Sequence, residues 1–97
     1  MIVDFLDQAT KDIFDGTNSR AARGLLPRGL HSLAARKLDL LNAAARLEDL
    51  LVPPGNRLEK LRGVLTGLYS IRINQQYGIV FAFSGGHASA VRIRDYH

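Results

Sequence analysis

The sequence contains no cysteine, and this absence removes several classes of protein at once. Without a thiol the chain has no disulfide framework, no thiolate zinc site and no cysteine nucleophile. No apolar run approaches the roughly 18 residues that a membrane-spanning helix needs. The opening residues, Met1 to Asp7, also lack the basic segment of a signal peptide. We therefore expect a soluble, cytoplasmic protein with no membrane partner.

The chain has too few residues for two hydrophobic cores. A protein of 97 residues buries only roughly 60–70% of its unfolded surface, all of it in one core. With 46% hydrophobic and 23% charged residues, the chain is not depleted enough in apolar side chains to be disordered. The sequence thus predicts a single domain over residues 1–97.

The net charge of +4 is concentrated in the second half of the chain. Basic and acidic residues balance up to Asp49, and every cation after that point except Lys60 is an arginine. The planar fork of arginine matches phosphate oxygens better than the ammonium of lysine does. This pattern predicts a phosphate-rich partner, nucleic acid before membrane, and an ordinary basic surface is the alternative.

The first half of the chain has mostly helical patterns. Ile2–Phe5 predicts a short strand, and Asp7 is a suitable N-cap for a helix that ends at Gly16. Residues 15–29, rich in Gly, Ser, Asn and Arg, predict a loop. Apolar residues spaced three and four apart over residues 30–48 predict an amphipathic helix of about five turns, which ends before Pro53.

After Asn56 the apolar period changes from 3.6 to 2. Alternating runs at residues 69–74, 77–83 and 91–94 are separated by short loops, which force antiparallel hairpins. We predict an α+β fold in which two helices pack on one face of a C-terminal antiparallel β-meander. The other face should be open, basic and somewhat concave, and it gathers Ser70, Arg72, Arg92, Arg94 and Tyr96.

Two polar segments carry groups that are suited to chemistry. Arg57–Gly63 alternates charge with leucine, as an edge strand does. The last six residues, from Arg92 to His97, combine two cations with a carboxylate, a phenol and an imidazole. Acid–base cleavage of a phosphodiester uses such groups, and a frayed polar tail is the alternative. His31 and His87 are too scattered to make a metal site.

Short motifs of the second half follow one another in a specific order: Leu61-Arg62-Gly63, then residues 67–74, then residues 77–81, and finally Asp95-Tyr96-His97. In this order and spacing they resemble the HigB toxins of the RelE superfamily, the plasmid maintenance killer proteins of type II toxin–antitoxin systems. The resemblance covers residues 57–97 in detail and the first half in the order of its elements. It implies a RelE-like fold.

The resemblance implies a ribosome-dependent endoribonuclease that cuts messenger RNA in the decoding site and so inhibits translation. In that reaction an RNA 2′-hydroxyl attacks the adjacent phosphate, and neither a metal nor another cofactor takes part. The resemblance also implies a HigA-like helix-turn-helix antitoxin that binds and suppresses the toxin. Operator DNA would be contacted only through the complex with that antitoxin.

By position, the resemblance implies a catalytic role for Arg62, which stands for a family lysine, and for the terminal Asp95, Tyr96 and His97. It also implies contacts with RNA near these residues, and the basic face adds others. The residues expected to bind RNA are Arg57, Lys60, Arg72, Tyr77, Arg92 and Arg94.

Two positions depart from the family pattern. Glu59 stands where the family commonly has a histidine, and Gly78 stands where it has an arginine that ligates the transition state. A glycine inside a central strand weakens it and supplies no side chain. We hypothesise that Gly78 marks an attenuated toxin, because losing one charge donor typically costs about 10²–10³ in rate.

Two other functions are open. A non-catalytic RelE-fold module would bind ribosomal RNA or an antitoxin through the basic sheet face, and Gly78 favours that alternative. A DNA-binding protein is the third candidate, but the sequence contains no recognition helix with clustered base-reading side chains.

Overall fold

The computed structural model describes residues 1–96, so His97 lies outside the described residues. Helices occupy the first half of the chain, and a four-stranded antiparallel sheet of order β1-β2-β3-β4 occupies the second. Within residues 1–96, no helix has the length and apolar character needed to cross a membrane. The predicted α+β class is confirmed. The elements are α1 (Gln8–Asp15), α2 (Arg20–Leu25), α3 (His31–Ala43), β1 (Glu59–Lys60), β2 (Tyr69–Arg72), β3 (Tyr77–Ser84) and β4 (His87–Asp95).

Helix α1 has the two ends that the sequence predicts. The side chain of Asp7 accepts a hydrogen bond from the backbone N–H of Thr10 at 2.6 Å, which satisfies a donor left free in the first turn. Gly16 ends the helix with φ +77°, a left-handed conformation that is strained for residues with a side chain.

The loop predicted for residues 15–29 is wrong, because α2 lies inside it. The hydroxyl of Ser19 accepts from the backbone N–H of Ala22 at 3.0 Å and donates to Asp12 of α1 at 2.6 Å. Ala22 and Leu26 are fully buried. Residues 1–96 contain three α-helices where two were expected, and α2 is held by its contact with α1 rather than by a strong periodic pattern.

The long helix is also shorter than predicted. Helix α3 ends at Ala43, and Ala44 has an extended conformation with φ −67° and ψ 123°. The carboxylate of Asp49 accepts hydrogen bonds from the backbone N–H groups of Ala45 at 3.0 Å and Arg46 at 3.1 Å. These bonds begin a separate short 3₁₀-helix at residues 47–51, so a cap from further along the chain overrides the helical propensity of the alanines.

The sheet confirms the predicted hairpins and gives their register. Strands β3 and β4 are joined by Gly85 and Gly86, which both have positive φ, as a two-residue type I′ turn requires. Strand β4 begins at His87, four residues before the predicted run. The predicted edge strand in Arg57–Gly63 is present as β1, which pairs with β2.

The first six residues run parallel to the outer edge of β4. Two isolated bridges, Ile2 with Ala88 and Phe5 with Val91, stand in place of the continuous strand that was predicted. Between them lies a β-bulge at Ala90, which has φ +51° and donates its N–H to the Asp4 carboxylate at 2.5 Å. The N-terminal segment therefore covers an edge that would otherwise be exposed.

The core lies between the three helices and one face of the sheet. Ile71 and Ile79 on neighbouring strands meet the helical side chains, and the hydroxyl of buried Thr10 accepts from the backbone N–H of Ile93 at 3.1 Å. That bond ties α1 to the end of β4. The fully or almost fully buried apolar side chains include Ile13, Leu26, Leu38, Leu41, Leu50, Ile71, Ile79, Phe81 and Val91.

Replacing Thr10 with valine keeps the volume of the side chain but removes the acceptor for the Ile93 N–H. A buried donor left without a partner costs about 1–3 kcal/mol. We expect Thr10→Val to lower the free energy of unfolding by that amount in urea denaturation. The exposed Thr17→Val is the matched control, with an expected change within about 0.5 kcal/mol. Equal stability of the two variants would contradict the role assigned to Thr10.

The Asp49 cap predicts a dependence of stability on pH. The N–H groups of Arg46 and Ala45 hold the pKa of the Asp49 carboxyl below its ordinary value of 3.8. Because the pKa is lowered by folding, this stabilisation is present above pH 3.8 and is lost as the pH falls through the folded pKa. We expect Asp49→Asn to have a lower free energy of unfolding than the wild type near neutral pH, and this difference should shrink below pH 3.8. Urea denaturation near neutral pH and below pH 3.8 measures this difference. The exposed Asp39→Asn is the control and should show no such dependence on pH.

Candidate functional site

The face of the sheet that points away from the helices collects the arginines of β2 and β4. Pairing across three strands aligns Arg72, Gly78 and Arg94 in one row. The next row consists of Ser70, Val80 and Arg92. Since side chains alternate along each strand, both rows lie on the same face, which we call the basic face.

A cavity of about 100 Å³ opens on this face beside strands β1 and β2. It has two cations and one carboxylate in its wall, together with a hydroxyl and a phenol. Its lining residues are Arg57, Glu59, Ser70, Arg72 and Tyr96. Three of them, Ser70, Arg72 and Tyr96, were assigned to this face by the period-2 pattern.

Arg57 is positioned by a buried asparagine. The Asn56 side chain accepts a hydrogen bond from Lys37 of α3 at 2.5 Å and donates to the backbone carbonyl of Leu50 at 3.2 Å. Arg57 then takes a left-handed conformation with φ +47°, which is strained for a residue with a side chain. Helix α3 therefore fixes the backbone from which Arg57 reaches the cavity.

Tyr96 extends over the backbone of β3. An ideal Cβ built on Gly78 would lie 2.5 Å from Tyr96 Oη and 2.8 Å from Tyr96 Cζ, so the far end of the ring occupies the space above this glycine. Tyr96 is two residues beyond Arg94, the partner of Gly78, and is therefore its diagonal neighbour across the strands. The guanidinium of Arg94 lies over the Tyr96 ring at 5.6 Å from its centroid, a cation–π contact.

The centre of the basic face is covered, which differs from the open surface that was expected. Gly78, Val80 and Ser70 are buried, whereas Arg92 and Arg94 beside them are only half-buried. The ring of Tyr96 lies over Gly78 and shields this part of the sheet. The accessible part of this face is the cavity at its β1–β2 side.

The charge of the basic face is not neutralised by acids within the described chain. Within residues 1–96, the ion pair whose nitrogen and oxygen lie within 4 Å of each other is that of Lys11 and Asp15 on α1. No carboxylate of that range pairs with Arg57, Arg72 or the arginines of β4. Glu59 contributes the carboxylate in the cavity wall. Guanidinium groups that outnumber the neighbouring carboxylate make a binding surface for phosphate oxygens.

Other predicted site residues lie away from the cavity. Arg62 is exposed at the start of the short 3₁₀-helix at residues 63–65, and Lys60 pairs with Tyr69, which places it on the opposite face from Glu59. Tyr77 is 9% exposed and belongs to the apolar core, so its ring does not face the arginines.

Strand alternation places Asp95 and Tyr96 on opposite faces of the sheet. Asp95 pairs with Tyr77 and points to the face opposite that of Tyr96, and its carboxylate accepts from Gln76 Nε2 at 3.3 Å. The predicted role of His97 falls outside the described residues. Of the two described residues, Asp95 and Tyr96, Tyr96 lines the cavity.

Glu59 is the cavity residue that sequence reasoning did not select. It pairs with Ser70 in the β1–β2 register, which puts it on the basic face next to the arginines. The signal was present in the sequence, because Arg57 and Glu59 share one face of an alternating strand, whereas Lys60 and Arg62 share the other.

Three comparisons with known proteins give matches over most or all of the chain. A family model for HigB-like toxins, described as the RelE-like toxin of the type II toxin–antitoxin system HigB, matches residues 4–97. Toxin HigB-1 of Vibrio cholerae serotype O1 is 36% identical over 88 residues, which cover 91% of this chain and 90% of that protein.

Among solved structures, the heterotetrameric YoeB-YefM toxin-antitoxin complex from Staphylococcus aureus contains a chain similar to this one. The alignment covers 100% of this chain and 95% of that chain, with 26% identity and a TM-score of 0.60. A second YoeB-YefM structure from the same organism aligns over the same shares of the two chains, with 22% identity and a TM-score of 0.60, and shows likeness of fold alone.

Proposed function

The chain belongs to the HigB-like family of RelE-like type II toxins, and we propose from this membership that it is a ribosome-dependent endoribonuclease. It cuts messenger RNA in the decoding site and thereby inhibits translation and arrests growth. The observation that carries this proposal is the cavity in which Arg57, Arg72 and Tyr96 meet.

Such a cavity suits cleavage through the RNA 2′-hydroxyl. The hydroxyl loses its proton and attacks the adjacent phosphorus, and the bond to the 5′-oxygen breaks as that oxygen gains a proton. The products are a 2′,3′-cyclic phosphate and a 5′-hydroxyl. Guanidinium groups stabilise the extra negative charge on the phosphorane, which is the largest electrostatic demand of the reaction.

We assign roles by place in the cavity. Arg57 and Arg72 bind the scissile phosphate, and the Tyr96 phenol contacts the reacting oxygens. His97, the next residue in the sequence, supplies the proton that the 5′-oxygen gains. Glu59 accepts the proton of the 2′-hydroxyl, since a carboxylate takes up a proton although it cannot supply a cation. Arg62, which is exposed and lies away from the cavity, binds a more distant part of the RNA backbone.

The proposed partners follow from the family. A chain that is 26% identical to this one lies in the YoeB-YefM toxin-antitoxin complex from Staphylococcus aureus. We propose that an antitoxin likewise binds and suppresses this toxin, that it is a HigA-like helix-turn-helix protein, and that operator DNA is reached only through their complex. The toxin acts on ribosomes in the cytoplasm.

A second candidate function is a non-catalytic module that binds ribosomal RNA or the antitoxin through the basic face. The placement of Arg62 and Asp95 away from the cavity favours it, since two residues implied to be catalytic are not among those that line the cavity.

Cleavage of a defined message, read by primer extension during translation with purified ribosomes, distinguishes these functions. We expect cuts that require ribosomes and that weaken at least tenfold in His97→Ala and in Glu59→Gln, since removal of a positioned acid or base typically costs about 10²–10⁴ in rate. His87→Ala, an exposed histidine at the start of β4, is the matched control and should cut like the wild type. Ribosome binding without cuts from any version would establish the non-catalytic module.

The salt dependence of RNA binding tests the basic face separately from catalysis. Each contact with a phosphate contributes about −0.7 to the slope of log K against log salt for a single strand. We expect Arg72→Gln and Arg94→Gln each to make the slope shallower by about 0.7 in anisotropy titrations between about 50 and 200 mM salt. Arg36→Gln, exposed on α3, should leave the slope unchanged. A slope that none of these changes alters would show that RNA binds elsewhere.

A further inference from the structure

We propose that Gly78 is a positioning residue that acts through Tyr96: its missing side chain leaves the space in which the Tyr96 ring lies, and the ring thereby reaches the cavity. The proposal rests on the endoribonuclease function proposed above. It is an alternative to the hypothesis that the glycine marks an attenuated enzyme, and the experiment below distinguishes the two.

The first support is the fit between the glycine and the ring. Three atoms of one side chain, Cε2, Cζ and Oη of Tyr96, are the nearest neighbours of a Cβ built at position 78. The distances of 2.5 Å to Oη and 2.8 Å to Cζ are shorter than real Cβ atoms tolerate. Even alanine at position 78 would therefore displace the ring. The strand gives this glycine a packing reason that the linear sequence did not reveal.

The second support is the direction in which the ring extends. Tyr96 follows β4, yet the far end of its ring lies over Gly78 in β3, and Tyr96 shares a cavity with Arg72 of β2 and Glu59 of β1. The ring thus crosses β3 toward the cavity. A side chain on Gly78, in the centre of the row formed by Arg72, Gly78 and Arg94, would stand in its path.

The third support concerns charge. Arg72 is paired with Gly78 in the register, about 4.8 Å away across the strands, and Arg94 is paired with it from the other side. Position 78 therefore has an arginine on each side of it, although it carries no guanidinium itself. Arg94 of β4 also lies over the Tyr96 ring, so the ring contacts a cation two residues before it in the chain. An added arginine at position 78 would displace the Tyr96 phenol and add a charge where Arg72 and Arg94 already supply one.

The experiment is a double-mutant cycle between positions 78 and 96, measured as kcat and KM for message cleavage on purified ribosomes. We expect Gly78→Ala and Gly78→Arg each to lower kcat by about tenfold or more with little change in KM, because a misplacement of about 1 Å in an active site can cost about 10²-fold. In the Tyr96→Ala background, where no ring is displaced, Gly78→Ala should have no further effect. Gly24→Ala, at a glycine with open space around it, is the control and should cut like the wild type.

A spectroscopic readout tests the contact itself. The ring current of Tyr96 should shift the Gly78 α-proton resonances in the wild-type spectrum, and Tyr96→Leu should remove that shift. This measurement needs no substitution at Gly78, so it remains decisive if the Gly78 variants fail to fold.

Five results would each overturn the inference. If Gly78→Arg cleaves faster than the wild type, the glycine is an attenuation. If Gly78→Ala lowers kcat equally with and without Tyr96, or if the α-proton shift is absent, Gly78 does not act through the ring. A wild type that binds ribosomes but never cuts would overturn the proposed function and this inference with it, whereas an active wild type with an equally active Gly78→Ala would overturn the inference alone.

Discussion

Strand β4 is hydrogen-bonded along both of its edges, and the positions of the helices and of the basic face follow from that pairing. One edge pairs with β3, and the other receives the first six residues and the Thr10 hydroxyl. Alternate residues of β4 then enter the core or join the arginines, so a slip of one residue would exchange the two faces. The two-glycine turn and the bulge at Ala90 prevent such a slip because they fix the pairing on either side of the strand.

Elements that depend on neighbouring residues could be predicted from the sequence. Asp7 and Gly16 define α1 because each acts within one helical turn of its own position. Helix α2 was missed because its stability comes from the Ser19 contact with Asp12 and from burial of Ala22 against α1. The end of α3 was misplaced because Asp49, several residues further along, captures the backbone N–H groups that would have continued the helix. Tertiary contacts of this kind are not visible in a periodic pattern.

In the candidate site, too, features set by neighbouring residues could be predicted, and features set by tertiary contacts could not. Period-2 alternation correctly assigned Ser70, Arg72 and Tyr96 to the basic face, because the pleat determines which way each side chain points. The same rule, applied strand by strand, would have separated Glu59 from Lys60 and Asp95 from Tyr96, whereas the grouping of charged segments obscured it. The contact between Gly78 and Tyr96 joins residues 18 positions apart through a diagonal cross-strand relation, which only the register reveals. Resemblance to the toxin family identified an unusual glycine but gave no physical reason for it.

The pairing of the N-terminal segment with β4 also affects how the toxin is synthesised. Met1 and Asp4 bond to Gly86 and Ala90, partners that lie 85 and 86 positions later in the chain. Contacts between residues so far apart form slowly, and Met1 and Asp4 cannot make theirs until the ribosome has translated Gly86 and Ala90. Arg94 and Tyr96, which complete the basic face, are translated later still. Until Tyr96 has been translated, the nascent toxin is therefore attached to a ribosome while its site has not yet been assembled.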